Sequence, residues 1–216
     1  LSARIFPSKA LASLAQACSF MGVEFRENTY VSNFDTGVIS GSWGNETASS
    51  IIIATGYEGF DSLEKFFPTS MGSGVKGQAA LLNICLGDAP QIYANGVYVV
   101  PHNDGTTAIG STSENKWTEP HDTDAQLNEL IERARIICPK IKNAKLITKW
   151  AGVRPKARRR EPLIGKVPMA DGIFLAMGGF KIGFGIAHKI GLSLADLIEN
   201  KPNDLPKSYT IEHHLE

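Results

Sequence analysis

The chain has 216 residues, of which 43% are hydrophobic, enough to bury the core of one large domain or two small ones. Lys plus Arg and Asp plus Glu each number 22, so a zero net charge gives no reason to expect nucleic acid or an anionic membrane as a partner. Three widely spaced cysteines predict neither a disulfide framework nor a cysteine-rich metal site, and no apolar run reaches the ~20 residues of a membrane span. We therefore expect a cytoplasmic protein without a bound metal. Because the chain starts at Leu1 rather than Met, we also expect it to be a piece of a longer protein.

The first part of the chain has α/β character. Apolar residues recur at helical spacing after Pro7, with Ser8 as the expected N-cap. Thr29–Phe34 and the residues after the turn at Gly37 predict a hairpin. The β-branched run from Ile51 to Ile53 is typical of a strand that is buried on both faces, as in a parallel sheet covered by helices.

The middle of the chain predicts an antiparallel sheet instead. Strand-like segments at 75–85, 92–100 and 106–111 are separated by Gly, Asp and Asn turns, and Asn95-Gly96 is a strong hairpin signal. A helix follows, capped by Asp122 or Thr123 and ended by Pro139.

The last third returns to α/β character, with a short strand at 173–176, a glycine-rich loop and a helix from about Ile186 to Glu199. The predicted fold class is α/β with an antiparallel (α+β) insert. We place its boundaries at 1–72 for the first α/β segment, 73–161 for the antiparallel sheet and 162–216 for the return.

Arg154 is the strongest single candidate for binding chemistry. Pro155 restricts it to extended backbone and is expected to hold it at a strand end, where its planar fork suits a carboxylate. A surface arginine before a turn is the alternative. The loop before the last helix predicts a site for an anion or an electron-rich ring, since glycines allow close approach to unpaired helical N–H groups, although a simple tight turn would look the same.

Four ordered blocks carry a family resemblance. They are Ile51-Ile52-Ile53-Ala54-Thr55-Gly56; Val75-Lys76-Gly77-Gln78; Tyr98 to Gly105 with Ile109-Gly110-Ser111-Thr112; and Trp150 to Pro155 with Pro162 to Gly165 and Gly178 to Gly183. On these blocks the chain resembles the C-terminal two-thirds of FAD-dependent oxidases of the D-amino-acid oxidase superfamily, and is most similar to the bacterial glycine oxidases.

The resemblance implies a partial FAD-binding, Rossmann-like domain at 1–72 and 162–216 and a substrate-binding sheet domain at 73–161. It implies that Arg154 pairs with the substrate carboxylate, with Tyr98 and Lys181 beside it. It also implies a set of residues that contact FAD: Val31, Ala54, Thr55, Gly56, Gly179, Phe180, Lys181, Ile182 and Gly183.

The implied reaction is oxidation of a small amino acid or amine by hydride transfer to non-covalently bound FAD. A D-amino-acid dehydrogenase or a sarcosine-oxidase-like enzyme is the alternative activity, and a homo-oligomer is compatible with either. The nucleotide-binding strand, glycine-rich turn and helix expected at the N-terminus of this fold are absent, so an inactive chain that binds no FAD is a further alternative. The basic run from Lys156 to Arg160 would suit RNA, but a solvated loop explains it better in a neutral chain.

Overall fold

A computed structural model describes residues 3–216. The helices are α1 (Pro7–Phe20), α2 (Gly59–Ser62), α3 (Ala125–Ile137), α4 (Gly183–Ile198) and α5 (Ile211–Leu215), with 3-10 turns at Pro139–Ile141 and Lys207–Tyr209. The strands are β1 (Val31–Asp35), β2 (Val38–Gly41), β3 (Gly44–Thr47), β4 (Ile51–Ile53), β5 (Gly72–Asn83), β6 (Ile92–Ala94), β7 (Val97–Pro101), β8 (Thr107–Gly110), β9 (Lys145–Ala157), β10 (Leu163–Lys166) and β11 (Ile173–Met177).

The chain divides into two compact units. We call residues 3–28 and 76–152 the antiparallel unit, and residues 29–75 and 153–216 the loop unit. This division differs from the predicted boundaries chiefly in residues 3–28, which group with the antiparallel unit rather than with the α/β segments. The Arg4 guanidinium accounts for this by donating hydrogen bonds to the carbonyls of Ala89 and Pro101, at 3.1 and 3.0 Å.

The antiparallel unit contains the predicted antiparallel sheet, in the strand order β6-β7-β8-β5-β9. One face of this sheet packs on α3, which ends before Pro139 as predicted. The cap of α3 is Asp124, whose side chain accepts the Gln126 N–H, so the expected cap at Asp122 or Thr123 was wrong. The buried residues of this layer are Ala80, Leu82, Val97, Val99, Ile109, Leu127, Leu130, Ala134, Cys138 and Ile141.

The loop unit contains a second sheet in the order β10-β11-β4, in which β11 runs parallel to β4 and antiparallel to β10. Successive side chains of β11 face opposite sides, so Leu175 packs in the main core while Phe174 packs with Leu194 of α4. Helix and core thus cover opposite faces of β11, as expected for α/β packing.

Strand β4 departs from the prediction. Ile51 and Ile53 are buried, but Ile52 between them is 46% exposed, so the expectation of burial on both faces was wrong. Ile52 is registered with Phe174, on the face of the sheet that α4 covers at β11. Because β4 ends the strand order of its sheet, Ile52 lies at the edge of that face.

A separate three-stranded meander, β1-β2-β3, also belongs to the loop unit. The predicted hairpin at β1 and β2 is confirmed, with Asp35 opposite Val38. Gly37 adopts φ +73° in the turn, which is the left-handed region that glycine tolerates best. The third strand, β3, was not predicted, because its residues Gly44–Thr47 contain no β-branched or aromatic run.

Candidate active site

The loop between β11 and α4 is shaped by glycines. Gly178 has φ +73°, and a Cβ added there would lie 2.5 Å from Cβ of Ala157. A Cβ on Gly179 would lie 3.0 Å from Cα of Gly183, so the loop folds tightly onto the start of the helix. Phe180 at the tip also has positive φ, +41°. Glycine is therefore required at position 178 both by conformation and by space.

Helix α4 begins at Gly183, three residues earlier than predicted. Its N-cap, Ile182, makes no side-chain capping hydrogen bond, and its first turn has no acidic residue. A Cβ built on Gly183 or Gly185 would meet nothing within 4 Å, so there is open space beside this helix end. Because the first N–H groups of a helix lack internal partners and carry the positive end of its dipole, the space suits a negatively charged or electron-rich group.

Arg154 belongs to the loop unit and lies on a segment that is fastened to this loop. The Phe180 N–H donates a 3.0 Å hydrogen bond to the Pro155 carbonyl, and Lys156 forms an antiparallel bridge with Gly179. The structure therefore brings Arg154 and the glycine-rich loop together. Strand β9 continues to Ala157, so the expectation that the strand ends at Arg154 was wrong. Proline is tolerated inside β9 because β9 is an edge strand, which leaves N–H positions outside the ladder.

The turn Ala54-Thr55-Gly56 follows β4 at the edge of the sheet where β11 also ends. Leu175 of β11 is registered with Ile53, so both chains leave the sheet side by side. Gly56 has φ +69°, consistent with a turn. The structure thus groups this turn with the glycine-rich loop, at the carboxyl ends of parallel strands, where α/β sheets bind their ligands.

Val31 is placed apart from these residues in the sheet topology. It starts β1 in the three-stranded meander, and no strand pairing among the described residues joins that meander to β4 or β11. Its proposed contact with FAD stays a prediction.

Tyr98 lies on β7 in the antiparallel unit. Its neighbours Val97 and Val99 point into the core, so the Tyr98 side chain stands on the opposite face of the sheet and is 45% exposed. Its ring lies against Tyr93, with 4.4 Å between the centroids. Sequence reasoning missed Tyr93. The two-residue turn Asn95-Gly96 contains the information needed, because it sets Tyr93 directly opposite Tyr98 in the register.

Lys181 follows Phe180 in the loop and is exposed, with its ammonium 5.4 Å from the Phe180 ring centroid. Within residues 3–216 no group of three or more His, Cys, Asp or Glu side chains is arranged to hold a metal ion. No helix in the same range has the length and apolar character needed to cross a membrane.

Known proteins of similar sequence include glycine oxidases. The glycine oxidase of Bacillus subtilis strain 168 is 28% identical over 194 residues, covering 86% of this chain and 52% of that protein. The glycine oxidase of Pseudomonas aeruginosa is 33% identical over 128 residues, covering 59% of this chain and 35% of that protein. The chain spans about half the length of relatives such as the Bacillus enzyme.

Solved structures match over most of the chain. The crystal structure of glycine oxidase from Geobacillus kaustophilus has a TM-score of 0.82 at 26% identity and covers 93% of this chain and 56% of its own. Iminodiacetate oxidase from Chelativorans sp. BNC1 gives 0.83 at 25% identity, covering 92% and 56%. The family model described as DAO, FAD dependent oxidoreductase, matches residues 2–197. The chain therefore belongs to the DAO family of FAD dependent oxidoreductases.

Proposed function

We propose that this chain provides the substrate anchor and the flavin-facing loop of an enzyme that oxidises a small amino acid or amine with FAD. The observation that carries the proposal is the backbone attachment between the two elements. The Phe180 N–H binds the Pro155 carbonyl, and Lys156 pairs with Gly179, so the Arg154 segment and the glycine-rich loop form one structural piece. A carboxylate held by Arg154 would thus keep a fixed relation to a group bound at the loop.

The loop fits one end of FAD on the evidence of its own geometry. The start of α4 has no side-chain cap, and the open space at Gly183 and Gly185 leaves room for an electron-rich ring edge at the positive end of the helix dipole. We propose that Gly179 to Gly183 hold the flavin end and that Ala54 to Gly56 border it.

The residues of this chain would bind and orient the substrate. Arg154 would hold the substrate carboxylate with its guanidinium, which presents a fork of donors matched to two carboxylate oxygens. Lys181, in the same loop, would add positive charge on that side. Tyr98, on the exposed face of its sheet, stays a predicted substrate residue because of the family resemblance.

The redox chemistry belongs to the cofactor. Bound FAD would accept the hydride from the carbon atom that bears the amine. No side-chain base is required in this scheme, provided that the amine is neutral when the hydride leaves. Orientation by Arg154 and the electrostatic environment at the start of α4 are the protein's share of the work.

The test replaces Arg154 in the polypeptide that contains this chain. Arg154→Ala is expected to weaken substrate binding by about 2–4 kcal/mol, because the carboxylate then lies without its charged partner. The Michaelis constant for the amino acid should rise, while an amine without a carboxylate should be oxidised as before. Arg159→Ala, in the exposed basic run, is the matched control and should leave both values unchanged. An unchanged Michaelis constant for the amino acid in Arg154→Ala would contradict the assignment.

Assays of the same purified enzyme identify its substrate and its electron acceptor. We expect small amino acids such as glycine to yield hydrogen peroxide in air. Turnover of D-alanine with a quinone but not with oxygen would contradict the oxidase assignment and favour a dehydrogenase.

The isolated chain is expected to bind FAD weakly. Its one GxGxxG spacing, Gly72 to Gly77, belongs to strand β5 and does not form a turn before a helix, so the cofactor's pyrophosphate would lack the helix N-terminus that such a turn provides. Absorbance spectra of the purified chain after gel filtration with excess FAD measure this directly. Flavin retained in a one-to-one ratio would contradict the expectation.

A further inference from the structure

A second polar cavity lies in the antiparallel unit, at the N-terminus of α3. Its volume is about 360 Å³, and the residues that line it all belong to the antiparallel unit. Its lining consists of charged and polar side chains with one tryptophan, and it includes Lys76, Glu114, Lys116, Trp117, Asp124 and Gln126.

Two carboxylates of the lining, Glu114 and Asp124, are held by Gln78, which is fully buried. The Gln78 amide nitrogen donates to Glu114 Oε1 at 3.0 Å and to Asp124 Oδ1 at 2.8 Å, while its amide oxygen accepts the Asp124 N–H at 2.8 Å. Thr112 Oγ1 donates to Glu114 Oε1 as well. One oxygen of each carboxylate is thus committed, and both carboxylates are held in place.

The second oxygens of these carboxylates are less committed. Asp124 Oδ2 accepts only a long contact of 3.5 Å from Gln126 Nε2, within residues 3–216. Glu114 Oε2 receives no hydrogen bond in the described part of the chain, and it is not fully enclosed, since it lies outside the set of sealed unpaired atoms. The hydrogen bond from Gln78 is the main cause that keeps the pKa of Asp124 below its usual value, so this carboxylate is charged at neutral pH. The cavity therefore offers acceptors for a cation.

The low exposure of the Lys76 side chain, together with its lack of a hydrogen-bond acceptor, points to a ligand in the cavity. Its side chain is only 3% exposed, and it makes no hydrogen bond or ion pair within 4.0 Å in the described residues. Its backbone is locked by two 2.9 Å hydrogen bonds with Glu114. The Lys76 Nζ lies outside the set of sealed unpaired atoms, so the tip of this side chain is accessible, and its charge already acts on the Asp124 carboxylate. An anionic group bound in the cavity would supply the hydrogen-bond acceptor that the ammonium does not contact.

The charges of the cavity select among ligands. Two lysines, Lys76 and Lys116, and two carboxylates, Glu114 and Asp124, sum to zero, so neither a simple anion nor a simple cation gains a net attraction. A ligand that carries both charges satisfies Lys76 with its anionic end and Glu114 with its cationic end. Trp117 offers an apolar wall for a short carbon chain.

We propose that this cavity, whose lining does not include Arg154, binds a small zwitterionic amino acid. The site does not rest on the proposed function, because Lys76 and Glu114 belong to the antiparallel unit and the glycine-rich loop plays no part in it.

The experiment titrates the full chain with glycine and follows the indole N–H signal of Trp117 by NMR, assigned with Trp117→Phe. Glycine is expected to shift this signal in a saturable way. Acetate and methylammonium, which each carry one of the two charges, are expected to give less than about a tenth of the glycine affinity, because each lacks one charge-assisted contact. An equal response to acetate would overturn the zwitterion site in favour of a plain anion site.

Substitutions of the cavity residues test whether glycine binds there. Lys76→Met keeps the length of the side chain and removes its charge, and it is expected to weaken glycine binding at least about tenfold. Lys149→Met, on an exposed lysine of β9, is the matched control and should bind as the parent does. Arg154→Ala should also bind glycine here, which separates this site from failure of the proposed function. If Lys76→Met does not fold, Glu114→Gln provides the same comparison on the opposite charge. Absence of a glycine-dependent shift in the parent chain, or unchanged binding in the folded variants, would overturn the proposal.

Discussion

The two units place their functional groups by different means. In the loop unit the backbone does most of the work: Gly178 and Gly56 adopt left-handed conformations, α4 starts without a side-chain cap, and the Phe180 N–H is bound to the Pro155 carbonyl. In the antiparallel unit a side-chain contact positions the candidate residue: Tyr98 lies opposite Tyr93 in the strand register, and the two rings are in contact.

The difference predicts how each unit responds to mutation. A site that is shaped by its backbone loses its geometry when an added Cβ overlaps a neighbour or when the new residue disfavours the required dihedral angles. The same strain lowers the stability of the fold. A side-chain-built face on a packed sheet loses individual contacts while the strands stay paired, because the core on the other face is untouched. Substitutions in the loop unit should therefore lower the free energy of unfolding more than substitutions on the exposed face of the antiparallel unit. Unfolding experiments can measure this difference.

The largest effect is expected for Gly178→Ala. The added Cβ would lie 2.5 Å from Cβ of Ala157, and a non-glycine residue at φ +73° is strained in addition. Left-handed strain costs about 1–2 kcal/mol and overpacking about 1–3 kcal/mol, so we expect the free energy of unfolding to fall by about 3 kcal/mol. Urea denaturation followed by circular dichroism measures this loss.

Gly87→Ala is the matched control for that substitution. Gly87 also has positive φ, +57°, but a Cβ there meets nothing within 4 Å, so only the conformational part of the cost should appear. Equal losses for the two variants would show that the close approach of the loop to Ala157 contributes nothing.

A smaller, pH-dependent effect is expected at His214, which anchors the C-terminal helix of the loop unit. The ring is fully buried, with Nε2 3.2 Å from the Pro162 carbonyl oxygen and Nδ1 without a hydrogen-bond partner within residues 3–216. Burial is the main cause that lowers the pKa of His214 below its usual 6.5, and the charges of His213 and Arg159 lower it further. The hydrogen bond with the Pro162 carbonyl and the charge of Glu161 raise this pKa, but by less.

The sign of the pH dependence follows from that lowered pKa. Below about pH 6.5 the unfolded chain takes up a proton at this histidine while the folded chain does not, so stability falls as the pH drops. One proton limits the slope to about 1.4 kcal/mol per pH unit. The free energy of unfolding, measured between pH 8 and pH 5, should fall with decreasing pH within this limit in the parent chain. His214→Phe should lose this dependence. His188→Phe, on the exposed side of α4, should retain it, and an identical slope in His214→Phe would contradict the assignment.

Sequence reasoning was most successful where a local rule decides the structure. The glycine-rich loop after β11 and the turn at Asn95-Gly96 follow from backbone preferences that few residues satisfy, and the structure confirms both. It failed where packing by distant residues decides. Nothing local distinguishes Ile52 from Ile51 and Ile53, yet only Ile52 is exposed, and α1 has an apolar stripe at helical spacing but buries none of its residues.

The candidate site divides in the same way. Arg154 could be located from the proline that follows it, but its attachment to the loop through Pro155 and Gly179 depends on a pairing across more than twenty residues of chain, which no local pattern encodes. Tyr93 was missed because an aromatic residue on a strand is ordinarily a packing residue. Its relation to Tyr98 emerges only once the register of the hairpin is known.

The smallest effect is expected for the tyrosine pair. Tyr93 and Tyr98 are directly opposed on neighbouring strands and both are largely exposed, so their contact should stabilise the hairpin by less than about 1 kcal/mol. Tyr93→Ala should therefore lower the free energy of unfolding by under about 1 kcal/mol, and a double-mutant cycle with Tyr98→Ala isolates the pair from the loss of each side chain alone. Val99→Ala, on the buried face of the same sheet, is the contrast, with an expected loss of about 2 kcal/mol or more. A Tyr93→Ala loss as large as that of Val99→Ala would show that the exposed face of this sheet is itself packed, and the distinction between a backbone-built unit and a side-chain-built unit would then rest on the loop unit alone.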